Sequence, residues 1–402
     1  MGSRIFTRSM KTTIKRAAAF SLLLIFSTSS FASDEIFEKE IMKNLADKVR
    51  EYRNQNIKNP KRHNWVSGTY YMGLMAMYES TSDDAYLKQC MEVGEAINWT
   101  IPDKTEASWD STFYSFGFGQ VWYGCYQKMK DESMLAPTFA FLDDPSKSTP
   151  LTEPSEWYLE NCGIRFVDGL YFSPPLFAML YQHTGDEKFV EWMDASYWDT
   201  SEALYDEDER LFYRDITFKK GHKTGSIGES HPAYERLATS AEKQTSANGK
   251  KVFWSRGNGW AFGGLVRILT YLPEEHPSYE RYRIQFTQMA EALKACQQAD
   301  GFWRPNLADP FEYDMKESSG SAFMTYGVAW GVNNGLLSKE AYLPVAKKGW
   351  AAIASVVNEE GKVEWGQPPG VGPAPVTQES SNSHTVGIFL LAASEVYKLD
   401  IR

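Results

Sequence analysis

Gly320–Leu337 reads GSAFMTYGVAWGVNNGLL, a stretch without one charged side chain. A helix that is apolar on every side must be buried on every side. Five further segments share this character, a glycine or small residue followed by mostly uncharged, aromatic-rich sequence. They start near Gly68 (GTYYMGLMAMYE), Gly117 (GFGQVWYGCYQ), Gly169 (GLYFSPPLFAMLYQ), Gly257 (GNGWAFGGLVRILTYL) and His384 (HTVGIFLLAASEVYKL). Six amphipathic, charge-bearing segments alternate with them: Glu35–Arg53, Asp83–Asn98, Glu132–Phe141, Glu187–Leu204, Tyr279–Gln298 and Lys339–Val357. Alternating buried and half-exposed helices, repeating every 50–60 residues, are what a closed ring of helical hairpins requires. The inner helices then line a barrel and the outer ones face water. The sequence predicts an all-α (α/α)6 barrel of six helical hairpins.

One interval breaks the rhythm. Asp206–Trp254 reads polar and strand-like, with LFYRDITF and KVFW flanking a Gly/Ser/Thr/Lys-rich stretch, which predicts a small inserted β-hairpin and a mobile loop. Pro368–Pro375 (PPGVGPAP) is a second irregular stretch, before the last inner helix. Loops at one end of a rigid barrel are where binding residues usually sit.

The chain of 402 residues carries a formal charge of −10. Residues 1–32 hold five Lys/Arg and no acid, so removing them from −10 leaves −15 for the rest. That argues against nucleic acid and an anionic membrane as natural partners. The N-terminus itself reads as a secretion signal. Lys11, Lys15 and Arg16 precede the apolar run Ala17–Phe26, and Ser30-Phe31-Ala32 forms a small-x-small cleavage pattern, with Met10 an alternative start. The run is too short to span a bilayer and no cysteine sits at the cleavage site for a lipid anchor. The sequence therefore predicts an exported, periplasmic or secreted protein with a single catalytic domain over 33–402. Cys90, Cys125, Cys162 and Cys296 are scattered and read as buried free thiols.

Two motifs carry chemistry. FWSRGNGW (Phe253–Trp260) sets Arg256 between Trp254 and Trp260. Aromatic faces take the apolar faces of sugars, and a guanidinium takes a carboxylate in a two-pronged hydrogen bond. In a net-acidic chain such a cation points to an acidic sugar; the alternative is turn glycines and core tryptophans. FVDGLYFSPP places Asp168 in an aromatic-lined turn, with Ser173 read as N-cap and Pro174 as first helical residue. Desolvation there would raise the carboxyl toward the range of a general acid; the alternative is an ordinary Asp-Gly turn. The six histidines show no ligand spacing, so no metal site and no cofactor is expected.

Taken together, VDGLYFSPP, FWSRGNGWAFGGL, DGFWRP, ESSGSAFMTYGVAWGVNNGLL and GIFLLAASEVYKL resemble glycoside hydrolase families 88 and 105, the unsaturated glucuronyl and rhamnogalacturonyl hydrolases. The resemblance covers essentially the whole chain beyond the N-terminal signal. It implies that Asp168 is general acid and base, that Arg256 and Trp260 hold the substrate sugar, and that Trp254 and Trp65 line the pocket. It also implies the reaction, removal of a terminal Δ4,5-unsaturated uronic acid from an acidic oligosaccharide by hydration of its enol ether. One carboxyl protonates C4 and then activates the water that attacks C5. No nucleophile–acid pair is needed, unlike in ordinary glycosidases.

The chain departs from the family pattern at two points. Tyr114 and Ser115, in TFYSFGFGQ, stand where many members carry an acidic pair, and Asp110 is the nearest carboxylate. Arg214, in FYRD, stands where many members have a histidine and extends the anion-binding surface. His63, beside Asn64 and Trp65, is a further pocket candidate, as is Ser115. Ser318, Ser319 and Ser321 either meet substrate or cap a helix. Rival readings are a non-catalytic sugar-binding relative, or an ordinary glycosidase or epimerase on the same barrel.

Overall fold

The computed structural model describes residues 35–56, 64–101, 112–144, 166–220 and 244–401. Twelve α-helices run through them: α1 (Lys39–Asn56), α2 (Trp65–Thr81), α3 (Asp84–Ala96), α4 (Thr112–Met129), α5 (Ala136–Asp143), α6 (Gly169–Thr184), α7 (Lys188–Leu204), α8 (Ser255–Tyr271), α9 (Tyr279–Cys296), α10 (Ser318–Asn333), α11 (Lys339–Ala354) and α12 (Ser383–Lys398). The even-numbered helices form the inner ring. Each packs on the next, and α12 closes onto α2. The odd-numbered helices pack outside, α1 on α12, α3 on α2, α7 on α6, α9 on α8 and α11 on α10. This is the barrel that the alternation of apolar and amphipathic segments predicts.

Patterning explains both layers. Outer helix α1 buries Met42, Ala46, Val49 and Arg53, one stripe at helical spacing. Inner helix α12 buries every residue from Ser383 to Val396. Side-chain caps fix several starts: Asn64 accepts from Ser67 N at 3.2 Å, and Asp83 from Ala85 N at 2.9 Å. The ring closes where α2 and α12 cross at backbone contact. A Cβ on Gly73 would run into the Gly387 carbonyl, and one on Gly387 into the Thr69 carbonyl.

Two local expectations are corrected. The hairpin is shorter than LFYRDITF and KVFW suggest: Tyr205–Asp206 pairs antiparallel with Leu211–Phe212, Tyr205 opposite Phe212. Past Phe212 the chain leaves extended geometry because Asp215 accepts from Thr217 N at 2.9 Å and starts a 3₁₀ turn, Ile216–Phe218. KVFW instead joins residues 305–307, with a bridge Trp254–Asn306 and Leu307 N donating to Phe253 O at 2.8 Å.

Ser173 is not an N-cap. Helix α6 starts at Gly169, with Asp168 in the cap position, and Pro174 and Pro175 lie inside it. Proline lacks the N–H that would reach back four residues, so the carbonyls of Leu170 and Tyr171 lose their helical donors. Gln120 of α4 supplies a replacement, its Nε2 donating to Tyr171 O at 2.9 Å and Phe172 O at 2.8 Å. Helix α8 comes so close to Leu170 O that only glycine fits at 264.

Cys90 and Cys125 are buried free thiols, as expected, whereas Cys296 is a free thiol only half-buried. Cys162, the Gly/Ser/Thr/Lys-rich loop and the N-terminal signal lie outside the described residues. No helix among the described residues is long and apolar enough to cross a membrane.

The crossing of α2 and α12 gives a stability test. Gly387→Val forces two backbones apart, and overpacking of this kind costs about 1–3 kcal/mol. The thermal midpoint is expected to fall by several degrees, while Lys88→Ala, on the exposed face of α3, leaves it unchanged. Scanning calorimetry of both variants reads the difference; equal midpoints would mean the seam relaxes freely.

Candidate active site

The N-terminal ends of the inner helices meet at one mouth of the barrel. Asp168 occupies the N-cap position of α6 and is 7% exposed. Its neighbour Val167 touches the start of α8, where a Cβ on Gly257 would meet Val167 Cγ1 at 3.1 Å and the Trp254 ring at 3.0 Å. Val167 N also donates to Arg214 O at 3.0 Å, which ties the turn after the hairpin to the aspartate. Phe166, two residues before Asp168, lies under the Arg214 guanidinium at 4.1 Å.

Four of the predicted residues share one aromatic cluster around Gln367. Trp260 packs edge-on against Trp65, with centroids 6.0 Å apart, and against Tyr171, Phe172 and Phe323. Trp254 Nε1 donates to Gln367 Oε1 at 2.7 Å. Arg256 stacks on the Trp254 ring at 4.5 Å and donates from Nη1 to Gln367 O at 2.5 Å and from Nη2 to Pro368 O at 3.0 Å. Trp254, Arg256 and Trp260 are each 1% exposed, so Trp65, only partly buried, is the ring of the cluster that keeps open surface.

His384, at the start of α12, was no more than the first residue of an inner segment in the sequence, yet it belongs to this cluster. Its ring lies 5.0 Å from Trp65, and Nε2 is 3.2 Å from Gln367 O. Gln367 is the other residue that sequence reasoning missed. It orients Trp254, Arg256 and His384 together, and its own Nε2 donates to Gly372 O at 2.8 Å. The only sequence signal was the irregular proline-rich stretch that begins immediately after it.

Arg214 is 5% exposed and forms an ion pair with Asp215. Two other buried carboxylates at this end are thus committed. Asp215 holds Arg214 and caps the 3₁₀ turn. Glu317 accepts from Ser319 N at 2.8 Å, Gly320 N at 2.6 Å and Ser255 Oγ at 3.1 Å, which locks the starts of α10 and α8 together. The serines after it are structural: Ser318 Oγ donates to Glu364 O and Ser321 Oγ to Glu317 O. Ser115 lies in α4, but its side chain, like His63 and Asp110, falls outside the described residues.

With this geometry in place the comparisons with known proteins decide the family. The family model for Glycosyl Hydrolase Family 88 matches residues 36–400. The chain belongs to glycosyl hydrolase family 88. An unsaturated 3S-rhamnoglycuronyl hydrolase of Formosa agariphila is 33% identical over 344 residues, 84% of this chain and 85% of that protein. Its counterpart from an Alteromonas species is 30% identical, covering 83% of this chain and 77% of that protein. A family 88 glycosyl hydrolase structure from Bacteroides vulgatus superposes with a TM-score of 0.74 at 27% identity, covering 90% of this chain and 99% of that one. The resemblance read from the motifs holds, and this family 88 protein is a glycoside hydrolase built on the helical barrel.

The cluster has a pH signature. Burial first, and then the nearby Arg256 cation, hold the His384 imidazole well below its usual 6.5. The unfolded chain binds a proton below that value and the folded one does not, so stability is lost as pH falls through about 6.5. This one group contributes up to about 1.4 kcal/mol per pH unit on that limb. His384→Gln is expected to flatten it, so that the thermal midpoint drops less than the parent's between about pH 7 and pH 5. Parallel calorimetric curves for parent and variant would locate the acid sensitivity elsewhere.

Proposed function

We propose that this enzyme removes a terminal Δ4,5-unsaturated uronic acid from oligosaccharides released by a polysaccharide lyase, with Asp168 as general acid and base. The observation that carries the reading is the buried Asp168 carboxylate at the cap of α6, beside the aromatic cluster, while Asp215 and Glu317 are tied up in structural hydrogen bonds. One carboxyl that can both give and take a proton suffices for hydration of an enol ether. Asp168 gives its proton to C4, and the cation formed at C5 is shared with the ring oxygen. Water adds to C5 as the carboxylate takes its proton. The resulting hemiketal opens, and the glycosidic bond is lost with it.

An anionic sugar suits this mouth. Helix N-termini carry partial positive charge, each favouring a nearby anion by about 0.3–1 kcal/mol, and Arg256 adds a guanidinium, whereas the charge of Arg214 is met by Asp215. Trp65 offers a ring face to the sugar. The names of the Formosa and Alteromonas relatives support a 3S-rhamnose in the neighbouring position. The export pattern of residues 1–32 supports a location outside the cytoplasm.

The test is loss of ultraviolet absorbance from the conjugated double bond on incubation with lyase-generated oligosaccharides. Parent protein is expected to turn over at least one of them. Asp168→Asn is expected to lose about 10²–10⁴-fold or more in kcat with its helical circular dichroism intact; a loss below about tenfold would remove Asp168 from this role.

Arg256→Lys separates binding from scaffolding. A point ammonium cannot reproduce the planar fork, so KM for the charged substrate is expected to rise about tenfold or more, with a smaller rise for its methyl ester. Because Arg256 also holds the carbonyls of Gln367 and Pro368, an equal loss on both substrates would show that its role is to hold that loop.

A further inference from the structure

The other mouth of the barrel, where the inner helices end, holds a polar cavity of about 390 Å³ that the reaction above does not use. Arg256 and Tyr271 are fifteen residues apart on α8, so this cavity lies about 20 Å from the aromatic cluster at a helical rise of 1.5 Å per residue. Glu79 of α2, Arg267 and Tyr271 of α8, Tyr326 and Trp330 of α10, and Glu395 of α12 form its walls.

Several of its polar groups have few or no protein partners. Arg267 donates only from Nε, to Gln120 Oε1 at 2.5 Å, which leaves both terminal nitrogens to the cavity. The Glu79 carboxylate and the Tyr271 and Tyr326 hydroxyls line the same space without a protein hydrogen bond. Deeper in, the Tyr171 hydroxyl is fully buried, has no hydrogen-bond partner and feels the Arg267 charge. A buried hydroxyl such as that of Tyr171 is almost always satisfied by something. Glu395, by contrast, is organised: Lys398 donates to Oε1 at 2.7 Å and Asn333 to Oε2 at 2.8 Å.

Charge and shape narrow the ligand. Two carboxylates face two cations, so the cavity has no net demand for an anion or a cation. Donors and acceptors are mixed, and three aromatic side chains stand among them. Hydroxyl groups that both donate and accept, on a ring with an apolar face, match that lining, and the volume falls in the range of small-molecule sites. We infer that this cavity is a second, non-catalytic binding site for a neutral mono- or disaccharide.

Burial pushes the Glu79 carboxyl above its ordinary range, with Arg267 and Lys398 opposing the shift. Glu79 keeps open surface at the rim of the cavity. A carboxyl of that kind can serve a sugar hydroxyl as acceptor or donor.

The test is saturation-transfer NMR of the full chain with glucose, galactose, rhamnose, cellobiose and, as the charged control, glucuronate. Arg267 is left untouched because Gln120 links it to the helix that carries Asp168. Glu79→Trp places an indole in the cavity, and Thr270→Tyr blocks it from α8. At least one neutral sugar is expected to bind saturably to the parent. Both variants are expected to lose that binding at least about tenfold, while turnover of the unsaturated oligosaccharide stays within about twofold. A variant without parental circular dichroism is set aside and the other decides; if neither folds, a crystal of the parent soaked in the bound sugar decides by where the sugar sits. No binding by any neutral sugar, tighter binding of glucuronate, or unchanged binding in a folded variant overturns the inference.

Discussion

Two consecutive prolines inside α6 set the terms for the rest of the site. Each removes a helical hydrogen bond at a cost of about 3 kcal/mol or more when nothing replaces it. Gln120 reaches across from α4 to the Tyr171 and Phe172 carbonyls, and Arg267 from α8 holds Gln120 in turn. Three inner helices are thereby joined through one buried polar chain. The start of α6 is held in place as a result, and Asp168 sits in its cap position rather than in a loop. An unmade hydrogen bond here would cost about 1–3 kcal/mol, which is why the amide, its arginine and the prolines form one unit.

The mouth of the barrel is organised by a second shared element, the backbone carbonyl of Gln367. It accepts from Arg256 and lies against His384, while the Gln367 side chain orients Trp254. A cation, an imidazole and an indole thus take their positions from one residue of an irregular loop. The neutral His384 follows from that arrangement, since a second positive charge beside Arg256 would go uncompensated in a buried site. Glu317 performs the equivalent task for α8 and α10, with its carboxylate spread over the amides and hydroxyls of both helix starts. At this mouth the buried carboxylates of Asp215 and Glu317 are spent on scaffolding.

Much of this was legible in the sequence. Segments such as Gly320–Leu337 could only be buried on every side, and stripes such as Met42, Ala46 and Val49 could only face inward from one side, so the alternation of the two fixed a ring of hairpins. Asp168, Trp254, Arg256 and Trp260 could be picked out because carboxylate, guanidinium and indole next to small residues are costly unless they serve something. The start of α6 was misread because Ser-Pro-Pro imitates a cap followed by proline at the first helical position. Only a side chain from another helix makes interior prolines tolerable, and no local pattern announces it.

The sequence by itself determined the helices, their order and which of them are inner, because these follow from the period and the polarity of side chains along one strand of chain. Tertiary structure alone decided that Gln367 and His384 join Arg256, that Glu317 is spent on caps, and that unpaired polar groups gather at the far mouth. Those relations connect residues far apart in the chain, 111 positions for Arg256 and Gln367 and 62 for Ser255 and Glu317, or turn on backbone groups that nearly every residue type carries. A carbonyl leaves no mark in the amino-acid code, and which donor reaches it is settled only when the ring closes.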